Sequence, residues 1–253
     1  MWDRALSYWL LSYKRTWRGT VFSGFLSPLF FLAAMGFGLS TLIDTGDQTA
    51  LGVPYLAFIA PGVLVATAMQ TAVGESTWPV MGSIKWQRQY HAMLATPLGV
   101  TDVLVGHLAF VAFRVTVTSA VFLVVAGALG ALQSWWAVVA LPVAVLCGMA
   151  FATPVFAFAA KTESDSGFNV LFRFVVMPLF LFSGTFFPVS QLPAALQPVA
   201  WVTPLWHGVE ASRSLSLGDA TLLGVGGHAA YLLVWVLGGL AVAQWSFRSR
   251  LVV

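Results

Sequence analysis

Long apolar stretches that carry almost no charge recur along the whole chain, and they restrict it to very few architectures. Residues 21–43, 55–78, 103–129, 135–160, 170–187 and 221–247 each approach or exceed the run of about 20 residues that a helix needs to cross the hydrocarbon layer. Backbone polar groups in lipid must be satisfied within their own segment, so such runs are expected to be helices. Of the 253 residues 59% are hydrophobic and only 8% are charged, whereas a soluble domain carries about a quarter. The expected fold is an all-α polytopic membrane protein with six transmembrane helices and no room for a soluble domain. The single cysteine, Cys147, lies within an apolar run, which excludes a disulfide framework and a cysteine metal site. It reads as core packing.

The ends and loops complete the layout. Trp2, Leu6, Trp9, Leu10, Tyr13 and Trp17 recur at steps of three and four, while Arg4, Lys14, Arg15 and Arg18 fall largely elsewhere. Residues 1–20 therefore read as an amphipathic helix lying in the headgroup layer, followed by a first span too long to be a cleaved signal peptide. With the N-terminus inside, Arg4, Lys14, Arg15, Arg18, Lys85, Arg88, Lys161, Arg248 and Arg250 fall on the inner side and only Arg213 on the outer. Both termini are expected to be cytoplasmic. The net charge of +3 follows from this topology, and no nucleic-acid partner is expected.

Between spans five and six the pattern changes. Pro188, Pro193, Pro198 and Pro204 each remove a helix donor from a segment apolar enough for a bilayer. The fifth helix should end at about Phe187, and residues 188–219 should form a broken, re-entrant helical segment on the outer face. Phe182, Phe186, Phe187, Trp201 and Trp206 are candidate linings of an outer vestibule; packing against lipid is the simpler reading of each ring alone.

Three ionisable residues lie inside apolar runs, where a lone charge is costly and seeks a partner. Glu75 and Arg173 both fall a few residues from inner ends, where they can pair across spans two and five. Arg114 lies deeper, with no acid at a matching depth. All three are candidate pathway or gating residues, with structural ion pairing as the alternative.

No phosphate-binding G-x-x-x-x-G-K-[ST] run occurs, so the chain has no ATPase site of its own. If transport is ATP-driven, ATP and magnesium belong to a separate subunit that must dock on an inner loop. Residues 84–96, IKWQRQYHAMLAT, form the only inner loop long enough. They fit either a coupling helix or an ordinary solvated basic loop. A membrane-embedded enzyme acting on lipid or peptide is the alternative from another class. Its best constellation, Ser183 with His207 or His228, lacks the glycine-rich setting of an intramembrane protease serine, and no catalytic residue is assigned. An ion-coupled secondary transporter would want buried acids, of which only Glu75 qualifies.

The run LFSGTFFPVSQLPAALQPVAWVTPLWHGVEASR, preceded by GVPYLAFIAPG and QRQYHAMLATPL in the same order, resembles type-2 ABC exporter permeases. It is most similar to the branch of nodulation-factor or lipooligosaccharide permeases and actinobacterial drug-export permeases. The resemblance implies a subunit of a bacterial plasma (inner) membrane that dimerises with itself or a close paralogue and binds two P-loop ATPase subunits. It also implies export of an amphiphilic substrate taken up from the cytoplasm or membrane lipid. Gln87, Arg88, Tyr90, Leu94 and Pro97-Leu98 fall on a pattern similar to the coupling region of these permeases. With Lys85, Trp86 and His91 they are the expected ATPase-coupling residues, although His91 stands where relatives often place an acid.

Overall fold

The computed structural model describes residues 1–39 and 53–252. Those residues form helices, turns and loops, with no β-strand among them. The first helix, α1, runs unbroken over Trp2–Ala33 and continues into a π-helical turn at Ala34–Leu39. This corrects the expected boundary between an interfacial helix at 1–20 and a separate span. Charge falls away at that point and Gly19-Thr20 could cap a helix end, but no proline lies there and the helix runs through both residues. The end of the expected first span, 40–43, and the acidic loop through residue 52 lie outside the described residues.

Tyr55–Ser76 forms α2, the most enclosed of the long helices, and Trp78–Lys85 forms α3 after a change of direction at Thr77. Pro79 sits in the first turn of α3, where a missing N–H costs nothing. A short helix, α4, spans Gln89–Leu94. It is followed by α5, Val100–Ala128, whose start is capped by the Asp102 carboxylate accepting from the Gly99 N–H at 3.0 Å. A single turn at Trp135–Val139 leads into α6, Ala140–Lys161.

The expected fifth span is shorter and starts earlier than its hydropathy suggests. Ser166–Leu171 (α7), a π-helical turn at Phe172–Val176 and Met177–Phe182 (α8) make one apolar helical run that ends at Phe182, not Phe187. Among the described residues, four segments are long and apolar enough to cross a membrane by length and composition: Tyr55–Lys85, Val100–Ala128, Trp135–Lys161 and Leu222–Leu251. After Phe182 the chain turns through Val189–Gln191, a short helix α9 at Gln197–Trp201, and α10 at Pro204–Leu217. Thr203 caps α10 by accepting from the Trp206 N–H, and Pro204 opens it. The last helix, α11, covers Leu222–Leu251.

Small residues let these helices approach. Ala60, Ala66, Ala68 and Ala72 of α2 and Ala144, Ala150 and Ala152 of α6 are all buried in one core, as expected where lipid supplies no hydrophobic drive between helices. Gly106 of α5 permits contact with α1: a Cβ there would lie 2.5 Å from the Ala5 methyl and 2.9 Å from the Trp2 carbonyl oxygen. Trp9 stacks on His107 at 3.9 Å between centroids, and Tyr13 lies against Phe110 and Phe113. The N-terminal half of α1 is thus packed onto α5.

Candidate functional sites

The buried charges pair differently from expectation. Arg114 on α5 donates from Nε at 3.0 Å and Nη2 at 2.8 Å to Oε1 of Glu75 on α2. Its guanidinium also lies 4.9 Å from the Tyr13 ring centroid on α1, a cation–π distance. One arginine therefore joins three helices. The Glu75 to Arg173 pair that the sequence allows does not form: Arg173 is exposed on the Phe172–Val176 turn and forms no ion pair among the described residues. The correction has a geometric cause. Arg114 lies in the middle of α5 and Glu75 in the last turn of α2, and the packing of the two helices brings them to one level.

At the far end, Arg213 of α10 is 8% exposed and acts as a clasp. Its Nη2 donates to the Gly184 carbonyl at 2.5 Å and its Nε to the Phe58 carbonyl at 3.4 Å. Its guanidinium also sits 3.9 Å from the Phe58 ring centroid. The 183–188 turn is held against α2 by the same contacts. A Cβ on Gly62 would come within 2.7 Å of the Thr185 carbonyl oxygen, so only glycine admits this approach. The sequence reading treated Arg213 merely as the one outer base. Its place as the one base on that side, three residues after Glu210, is the available signal.

The aromatic candidates do not converge on one chamber. Phe186 meets Phe31 and Phe180, whereas Phe187 and Trp206 pack around Val189, Leu192 and Ala200. Phe182 and Trp201 are exposed. Phe182 instead borders an apolar cleft of about 320 Å³ between α8 and α9, with Phe174, Pro178, Leu196 and Val199. The imagined serine dyad does not form. Ser183 shares a hydrogen bond with Thr203 at 3.2 Å, and His207 and His228 bond each other, Nδ1 to Nδ1, at 2.8 Å.

The opposite, basic end carries the 84–96 turn. Arg88 takes a left-handed conformation at φ 49° between α3 and α4. Trp86, Gln87, Arg88 and His91 are exposed, and Leu94 is half-buried. Ile84, Lys85, Trp86, Arg88, His91 and Arg250 border an open cleft of about 610 Å³. Glu163, in the turn after α6, accepts from Lys85 at 2.5 Å and from Arg250 at 2.7 Å. The Lys85 hydrogen bond, then the nearby Arg250 charge, hold its carboxyl below the usual range. Glu163 thereby ties α3 to the end of α11.

Tyr90 departs from the expected docking surface because it is fully buried and points inward. Its hydroxyl meets His107 Nδ1 at 2.5 Å, a residue that sequence reading passed over. A histidine inside an otherwise apolar stretch was the available sign.

Comparison with known proteins places the chain. Residues 5–217 match the family model described as ABC-2 type transporter. The chain is 31% identical over 242 residues to Nodulation protein J of Rhizobium leguminosarum bv. viciae, spanning 95% of this chain and 91% of that protein. It is 30% identical over 241 residues to Nodulation protein J of Rhizobium meliloti (strain 1021), spanning 95% and 90%. With its several membrane-crossing helices and this match over most of its length, the chain is a multi-pass membrane permease belonging to the ABC-2 type transporter family.

Proposed function

We propose that the chain is the membrane subunit of an ATP-driven exporter that carries an amphiphile, a drug or lipid-linked saccharide, outward from the cytoplasm or inner leaflet. In this reading six spans cross a bacterial inner membrane, with 188–219 re-entrant at the outer face and both termini cytoplasmic. The α1 and Ser166–Phe182 helices supply the two spans beyond the four that are both long and apolar enough. A second copy, or a close paralogue, completes the pathway. Two P-loop ATPase subunits bind ATP and magnesium beneath.

The observation that carries the reading is the exposed 84–96 turn at the basic end, in a chain whose sequence contains no phosphate-binding loop. Trp86, Arg88 and His91 present an aromatic and cationic surface to a partner, while α4 is anchored inward. Closure of the ATPases around ATP displaces that turn and tilts the spans between two access states. Net export requires such an energy source, since binding alone shifts no gradient. The Glu75 to Arg114 pair spans α2 and α5 and is placed to rearrange as the spans tilt. Because Arg114 occupies Glu75, an ion-coupled carrier is left without a free acid there. The test is purification of the tagged chain from its native membrane: a P-loop ATPase should co-elute, and ATP hydrolysis should accompany the complex.

A further inference from the structure

The interior end of Tyr90 does something that docking alone does not require. Its ring is fully buried, and through it the six-residue helix α4 reaches four longer helices. His107 of α5 lies at hydrogen-bond distance and Phe247 of α11 at 5.5 Å between ring centroids. His107 in turn stacks on Trp9 of α1 at 3.9 Å and meets Phe156 of α6 edge-on at 5.1 Å.

The bond joins the Tyr90 hydroxyl to His107 Nδ1, with donor and acceptor set by the imidazole tautomer, and Ser83 is a second hydrogen-bond neighbour of the hydroxyl. The other ring nitrogen, Nε2, is buried and has no hydrogen-bond partner among the described residues. A phenylalanine would fill the same place without stranding a polar nitrogen, so packing does not account for a histidine here. The bond to Tyr90 does.

We infer that the Tyr90 to His107 hydrogen bond is the link by which movement of residues 84–96 is passed to α1 and the spans. His107 is therefore a positioning residue for coupling. This rests on the reading of 84–96 as the ATPase-docking turn, and the experiment separates the two.

The permease–ATPase complex is placed in lipid nanodiscs with nitroxides on Leu11→Cys and Leu222→Cys, both on exposed positions of α1 and α11. Distances are measured without nucleotide and after trapping with ATP, magnesium and vanadate. The wild-type pair should shift on trapping. In Tyr90→Phe and His107→Phe the shifted fraction should fall at least about threefold, with the ATPase still bound and the thermal unfolding midpoint lowered only modestly, because each variant leaves one buried partner unpaired. The double variant should be no worse than either single one, because both remove one shared bond. His107→Asn, whose amide can stand near the Nδ1 position as donor or acceptor, should recover part of the shift. A full shift in both single variants overturns the link, as does loss of ATPase binding in Tyr90→Phe, which would make the residue part of the docking shape. No shift in the wild-type complex overturns the ATP-driven reading instead.

Discussion

Arg114 aims two nitrogens at one carboxylate oxygen of Glu75, at 3.0 and 2.8 Å, and the two side chains are only 13% and 23% exposed. Removing one partner strands the other charge. Arg114→Met should lower stability by about 3 kcal/mol, and Glu75→Gln combined with it should recover much of that loss. Thermal unfolding in detergent, run as a double-mutant cycle, checks the coupling. Additive effects would mean the pair is not held in solution.

Arg213 makes its contacts from three nitrogens of one planar fork. Lysine cannot reproduce that geometry. Arg213→Lys should therefore cost about 2 kcal/mol and speed amide exchange in the 183–188 turn, with α5 unaffected. Hydrogen exchange read by mass spectrometry reports both regions.

Glu163 is bridged by Lys85 and Arg250 in an exposed site, and its carboxyl is held below the usual range. A lowered folded-state value contributes stability above the unfolded carboxylate value of about 4.3, which is lost as pH falls through the folded value. Acidification below that point should fray the end of α11, as should Glu163→Gln at neutral pH. Amide exchange over residues 246–251 at both pH values measures it, and high salt should weaken the wild-type protection.

Gly62 faces the Thr185 carbonyl with no space for a methyl group. Gly62→Ala should push the 183–188 turn from α2 and destabilise by about 1–3 kcal/mol. The drop in unfolding midpoint should be accompanied by easier labelling of Thr185→Cys.

Much of this architecture was legible in hydropathy. Uncharged runs located α2, α5, α6 and α11 within a few residues, and the four prolines after Phe187 foretold the broken segment containing α9 and α10. The boundary at residue 20 was misplaced because a fall in charge is no helix stop, and a helix packed along α5 has no need to turn there. Arg114's partner was missed for a related reason. Depth counted from hydropathy edges ignores helix turns that project beyond the lipid: the 29 residues of α5 span about 44 Å, against about 30 Å of hydrocarbon. Tyr90 and His107 lie far apart in periodicity terms, and only the fold of α4 back onto α5 brings them together.

The central claim is that force arrives from a separate ATPase gripping the 84–96 turn. The most direct measurement compares wild type and Arg88→Glu, each tagged and purified from the native membrane, for co-eluting P-loop ATPase and ATP hydrolysis. The account predicts that the ATPase accompanies the wild type and is lost from Arg88→Glu, while membrane insertion is unchanged. A wild-type chain that elutes alone and by itself accumulates solute in liposomes would contradict it.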